Sequence, residues 1–306
     1  VYGVTIVQPA PFRDSEYNLR QLGFYAQDEI KINEKFIVNL AVRYDDAHSD
    51  TFNNLNGTQS QTQDDTATTY RVGAVYRADN GLAPYVSFAE SYFPSVGVDA
   101  AGNPFEPETG EQWEVGLKYQ PQDFDGIFTI AYFDLTRANF VTRNQTTLQF
   151  EATGQGSTKG IEVEAYASFN NGLSVIANYN DLSTNNDVNG NPALVGLEFT
   201  QIPDTKASAW LDYKIASGAL AGLGFGAGVR YQSSTFSDAL NTISSPGFTL
   251  YDAAIYYEVG RFRIALNVQN VEDKIVQSSC FVRNQLLCTF GETRALRGSV
   301  RYRWGD

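Results

Sequence analysis

Oily and mixed residues alternate with period two along this chain, segment after segment, and few folds accommodate that pattern. From Phe36 to Tyr44 one parity carries Phe36, Val38, Leu40, Val42 and Tyr44, while the other carries Ile37, Asn39, Ala41 and Arg43. The same rule sets Trp113, Val115, Leu117 and Tyr119 against Glu114, Gly116 and Lys118, and Ile161, Val163, Ala165 and Ala167 against Glu162, Glu164 and Tyr166. It returns as Phe262, Ile264, Leu266 and Val268 against Arg263, Ala265, Asn267 and Gln269. In the last segment Leu296, Val300, Tyr302 and Trp304 oppose Arg297, Ser299, Arg301 and Arg303. Successive side chains of a strand point to opposite faces, so each segment reads as a β-strand with one apolar face. A soluble sandwich alternates too, but its strands usually run about five or six residues. These run nearer the roughly 9–11 residues that cross a bilayer at a tilt. Aromatic residues close the oily faces, as Phe36 with Tyr44 and Trp113 with Tyr119 do, where the interfacial girdles of a membrane barrel belong.

Composition narrows the setting. Although 42% of the 306 residues are hydrophobic, no apolar run approaches the roughly 20 residues that a membrane helix needs. If the chain spans a membrane it does so as a closed barrel, whose strands satisfy every backbone group in lipid. The net charge of −13, from 35 acidic and 22 basic residues, comes with no clustered basic face, which excludes nucleic acid as a partner.

Short and long connections alternate strictly. Short turns are expected near Asn33-Glu34, Ala78 to Gly81, Gln122-Asp123, Asn170 to Gly172, Ser217-Gly218 and Val259-Gly260. Long polar loops are expected around 47–66, 94–110, 139–156, 185–200, 234–246 and 274–293. Short periplasmic turns on one rim and long extracellular loops on the other describe an outer-membrane barrel. The expected fold class is therefore all-β, a transmembrane antiparallel β-barrel of the outer-membrane type. About thirteen strands are expected, from one near Leu22 to Ile32 through one ending at Trp304, all in a single domain over residues 1–306. Bacterial single-chain barrels normally have an even strand count, so further strands upstream are expected. Val1 shows no signal peptide and no initiating Met, and a processed or truncated start is expected.

Four constellations carry alternatives. Cys280 and Cys288, eight positions apart, read as a local disulfide closing a loop; a two-thiolate metal site would lack further ligands nearby. Gly222, Gly224, Gly226 and Gly228 alternate within a strand pattern with no helix after them, so a dinucleotide loop gives way to a strand with little bulk toward the lumen. The sole histidine, His48, lies among Asp45, Asp46 and Asp50, which a hydrolase or a solvated loop would equally explain. Arg297, Arg301 and Arg303 share the lumen face of the last strand, opposite acidic lumen positions such as Glu162 and Glu164 elsewhere, and are expected to form salt bridges within the barrel or to a domain that fills it, with steering of an anionic ligand as the alternative.

In ordered stretches the chain resembles the TonB-dependent siderophore receptors, and among them the ferrichrome-type hydroxamate receptors. The stretches are Gly23 to Asp28, Gly116 to Tyr119, Lys159 to Ala165, Ala209 to Tyr213, Gly228 to Tyr231, Asn270 to Asp273, and Ser279-Cys280-Phe281 followed by Cys288. Val271, Glu272 and Val276 depart from the family's usual residues in the last loop.

The resemblance implies the later strands of a barrel of about 22 strands, filled by an N-terminal plug that this sequence does not contain. It implies uptake of ferric siderophores, energised by the TonB complex through the missing N-terminal part, and no catalysis. Iron arrives already wrapped, so no metal ligands or cofactor are expected, only aromatic and polar surface for the organic shell. Phe281, which matches an aromatic ligand contact of the family, is the first candidate; packing beneath the disulfide-closed loop is its alternative. Phe93, at lumen parity, is the second candidate, and Tyr92, of opposite parity, is expected in the lipid-facing girdle. Trp304 on the last strand implies recognition by the barrel-insertion machinery. Outer-membrane lipid and lipopolysaccharide are the expected surroundings. A passive porin-like channel, or uptake of cobalamin or a glycan, remains the alternative function.

Overall fold

The computed structural model describes residues 14–99, 103–143, 150–282 and 286–304, with the side chains of 58–60 outside that description. Its strands are β1 (Ser15–Ile32), β2 (Phe36–Asn53), β3 (Thr58–Tyr76), β4 (Leu82–Phe93), β5 (Glu108–Tyr119), β6 (Asp125–Arg143), β7 (Phe150–Ser168), β8 (Leu173–Val188) and β9 (Thr205–Lys214). They continue as β10 (Leu223–Gln232), β11 (Thr235–Phe236), β12 (Ser244–Ser245), β13 (Phe248–Val259), β14 (Phe262–Gln269), β15 (Gln277–Val282), β16 (Leu286–Phe290) and β17 (Ala295–Tyr302). A 13-stranded antiparallel sheet runs β1 to β10, then β13, β14 and β17, in chain order. The remaining strands pair as two small ribbons, β11 with β12 and β15 with β16, inside the last two long loops.

Register places the two faces as the alternation predicts. Phe24 pairs with Tyr44 and Val42 with Tyr70 on the oily side, while Gln21 and Arg43 both reach Asp45 on the other. The oily side chains stay uncovered by protein: Leu296 is 65% and Val300 69% exposed. Moving such a side chain from water to hydrocarbon is worth about 1.5–3 kcal/mol, so this face is stabilised by lipid rather than by a protein core. At the short-turn rim the aromatics pair across strands, Phe36 with Tyr76 at 4.7 Å, Tyr119 with Phe128 at 6.2 Å and Phe262 with Tyr302 at 4.9 Å. Trp304 continues this row edge-on to Tyr302 at 4.6 Å.

Every short turn falls where the sequence puts it, whereas several of the six expected long loops are in large part paired strand. β2 runs to Asn53 and β3 begins at Thr58, so most of 47–66 is paired strand. Likewise β6 reaches Arg143, β7 starts at Phe150 and β8 reaches Val188; β1 begins at Ser15 rather than near Leu22. A strand of 19 residues such as β6, tilted by about 45°, rises about 44 Å, well past a hydrocarbon core of about 30 Å. Above the bilayer both faces meet water, so the ladder continues with no hydrophobic period to announce it.

The lumen face holds polar pairs. Arg230 grips Asp252 with two hydrogen bonds of 2.6 and 2.9 Å, the Tyr256 hydroxyl donates to Asp212 at 2.6 Å, and Glu258 accepts from both Lys214 and Arg263. The alternating glycines of β10 make room for rings from neighbouring strands: a Cβ on Gly226 would lie 2.2 Å from Trp210, and one on Gly224 would lie 2.1 Å from Tyr256. Arg297 pairs with Glu292 at 3.3 Å, Arg301 stands directly opposite Arg263, and among the described residues no ion pair joins them to Glu162 or Glu164, which lie on β7.

Candidate functional site

The extracellular ends of the strands and their loops form the candidate site. The described parts of the β4–β5 loop, 94–99 and 103–107, fold against the lumen face of the extended β2–β3 hairpin. The Gln61 and Gln63 side-chain amides donate to the Gly97 and Phe105 carbonyls at 2.9 and 2.8 Å, and Phe105, Ser95, Asp45, Ala47 and Ser49 are buried beneath. This small core anchors the loop at the point where Phe93 leaves β4.

Phe93 stands opposite Glu108 in the β4–β5 register, at lumen parity, and is 65% exposed. Tyr92, opposite Thr109, keeps the other parity, but its hydroxyl is buried without a hydrogen-bond partner among the described residues, so it does not present an open girdle hydroxyl. Glu108 in turn accepts a two-pronged hydrogen bond from Arg137 of β6, and the Arg137 guanidinium sits 5.4 Å from the centre of the Phe140 ring. Phe140 meets Phe199 edge-on at 6.0 Å. Both rings border a 290 Å³ cleft that also touches Thr142, Arg143, Asn189 and Glu198. Burial, with the nearby Asp204, pushes the Glu198 carboxyl above the usual carboxylate range. The sequence reasoning missed Phe140 and Phe199. Alternation alone assigns Phe140 to the lipid side.

Three loops then lock together. The Asn241 side chain bridges to the backbone of Glu198, the Gln201 amide N–H donates to the Phe236 carbonyl at 2.9 Å, and Val282 donates to the Ser237 carbonyl at 3.0 Å. The Gln201 side chain accepts from Ser279 at 2.7 Å. Cys280 and Cys288 face each other across the β15–β16 ribbon and form a disulfide, with Cys280 buried. Phe281, one residue on, is 40% exposed. Residues 283–285, at the ribbon's tip, lie outside the described residues, as do 144–149 of the 139–156 loop.

The Asn270 to Asp273 stretch has a physical reason. Asn270, fully buried with φ 52°, donates to the carbonyls of Lys274 and Glu292 at 2.8 and 3.2 Å and accepts from the Lys274 N–H at 2.9 Å. Asp273 accepts the Arg294 N–H at 2.8 Å. Together they clamp both ends of the last loop.

His48 bridges Asp64 at 2.6 Å and Asp50 at 3.2 Å on the outer face of the hairpin, while Ser49 is buried on the opposite face. Among the described residues only these two carboxylates are hydrogen-bonded to the imidazole, and no nucleophile is. Among the described residues no group of three or more His, Cys, Asp or Glu could hold a metal ion. Lower on the wall a 530 Å³ recess is lined by Gln27, Asn39, Arg71, Tyr85, Glu114 and Lys118, with the Tyr85 hydroxyl on Glu114 at 2.6 Å.

A sheet with a lipid-facing apolar side, a polar lumen and interlocked outer loops defines the wall of an outer-membrane β-barrel. The family model described as TonB dependent receptor-like, beta-barrel, matches residues 2–271, and the chain belongs to that family. It is 32% identical to the ferrioxamine B receptor of Salmonella typhimurium over 99% of this chain and 43% of that protein. It is 34% identical to the ferrichrome outer membrane transporter/phage receptor of Escherichia coli over 93% of this chain and 38% of that protein. The chain thus spans less than half the length of these relatives. Its fold matches the crystal structure of the siderophore receptor PiuA from Acinetobacter baumannii with a TM-score of 0.83, at 22% identity over 94% of this chain and 44% of that one.

Proposed function

We propose that the chain forms the wall and outer vestibule of a receptor for ferric siderophores, energised by the TonB complex in the full-length protein. The observation that carries this reading is the 32–34% identity, over nearly the whole chain, to receptors named for ferrioxamine B and ferrichrome. In this reading iron is cargo carried by its chelator, and the protein supplies aromatic and polar contacts rather than metal ligands. Phe93 and Phe281 are the contacts: both are exposed at the outer rim, and the Cys280–Cys288 bridge holds the ribbon that presents Phe281. The oily face and its girdles meet lipid and lipopolysaccharide. Trp304, 85% exposed beyond β17, is the mark for the insertion machinery.

The test is radioiron uptake from ferrioxamine B and from ferrichrome, in cells whose only hydroxamate receptor is the full-length protein. Uptake abolished by a protonophore supports the proposal. Uptake that persists without proton-motive force overturns it in favour of a passive channel, and energised uptake of cobalamin or a glycan in place of either chelate overturns the cargo.

A further inference from the structure

The ladder between β6 and β7 is regular from Asp125 to Ala138 and then breaks twice, between Ala138 and Phe140 and between Phe140 and Thr142. Asn139 is the extra residue, with φ 62°, a left-handed conformation that costs a residue with a side chain roughly 1–3 kcal/mol unless its surroundings hold it. Its side chain is held by the Pro107 carbonyl at 3.1 Å.

Side chains alternate strictly, so one inserted residue reverses the facing of everything beyond it. Below the bulge odd positions of β6, including Arg137, face the lumen; above it Phe140 and Thr142 do. The neighbouring strand confirms this facing, because a Cβ on Gly154 would lie 2.5 Å from Phe140 and one on Gly156 would lie 2.4 Å from Phe199. Two glycines and a bulge thus seat a pair of rings on the inner wall, open to the 290 Å³ cleft. Arg137 is already neutralised by Glu108; of the two charged groups that line the cleft, Arg143 is exposed and engaged in an interaction of its own, and Glu198 forms no ion pair among the described residues. The cleft therefore offers two π-faces and a single acidic group, Glu198.

Resting on the siderophore reading above, we propose that Phe140 and Phe199 are specificity-determining contacts for the organic shell of the ferric chelate, with Glu198 disfavouring polyanionic complexes. Aromatic faces hold an apolar shell of either sign, whereas a carboxylate in a partly enclosed cleft repels a chelate of like charge.

Equilibrium binding to the purified full-length receptor, read by fluorescence quenching, tests this with three probes: ferrioxamine B, ferrichrome and a trianionic ferric tricatecholate. Phe140→Ala and Phe199→Ala should each raise Kd for the two hydroxamates about tenfold, and Glu198→Gln should narrow the gap between them and the tricatecholate. Heat-modifiable migration reports whether each barrel is folded, and Phe140→Leu and Phe199→Leu replace any alanine variant that is not. Full-strength binding by both phenylalanine variants, or an unmoved gap in Glu198→Gln, overturns the inference alone. If the unsubstituted receptor binds none of the probes, the siderophore reading falls and this one with it.

Discussion

The side-chain carbonyl of Gln201 accepts a 2.7 Å hydrogen bond from the hydroxyl of Ser279, joining loops 78 residues apart. Gln201 sits at φ 64° and also donates its backbone N–H to Phe236, so one residue ties three extracellular loops. Gln201→Gly keeps the backbone conformation and removes only the side-chain bond. Such a bond contributes about 0.5–1.5 kcal/mol, less at this exposed site. Hydrogen exchange at β15 and β16 should accelerate severalfold while β1 to β9 stay unchanged; equal protection in the variant would show that the ribbon does not depend on this contact.

Removing Asn270 should do more. In Asn270→Ala the Lys274 N–H and the carbonyls of Lys274 and Glu292 lose their partner in a buried setting, at about 1–3 kcal/mol. Limited proteolysis should then cut the 274–293 loop first, with the barrel strands intact. Simultaneous cleavage throughout the chain would show instead that the clamp supports the whole sheet.

The space over Gly226 is filled by Trp210 of the neighbouring strand, so Gly226→Val should destabilise the barrel by about 1–3 kcal/mol through overpacking. Adding Trp210→Ala should recover part of that loss, since the two changes share one space. Additive losses in denaturant titrations would mean the ring is not the obstacle.

The hydrogen bond from His48 to Asp64 raises the histidine pKa above its ordinary value of 6.5. A raised folded-state pKa means that protonation favours the paired hairpin. Its contribution is fully present below about pH 6.5 and is lost as pH rises through the raised value. Exchange protection at the tip of the β2–β3 hairpin, corrected for intrinsic rates, should fall across that window and become flat in His48→Gln. Protection that rises with pH in the native protein would contradict the assignment.

The membrane-crossing part of this fold is legible because lipid enforces one rule on every strand: Phe36 to Tyr44 and Phe262 to Val268 declare their facing residue by residue. The strand count follows from repeating that rule between turns. Above the bilayer the rule lapses. The paired stretch from Asp45 to Asn53 is as polar as a loop, and only its hydrogen bonds distinguish it. The outer site is less legible still. Phe93 keeps its strand's parity and can be placed by counting, whereas Phe140 is placed by a bulge, and no pattern marks Asn139 as left-handed. Contacts such as Gln201 with Ser279 join residues that only the folded chain brings near.

The bulge at Asn139 also bears on how such a wall can diverge. Losing or gaining a single codon there swaps which of the last residues of β6, Phe140 to Arg143, turn to the lumen and which to the exterior, while the stretch from Asp125 to Ala138 keeps its pairing. A barrel wall built this way can change what its outer lumen presents in one heritable step, without rebuilding the part that the membrane holds in place.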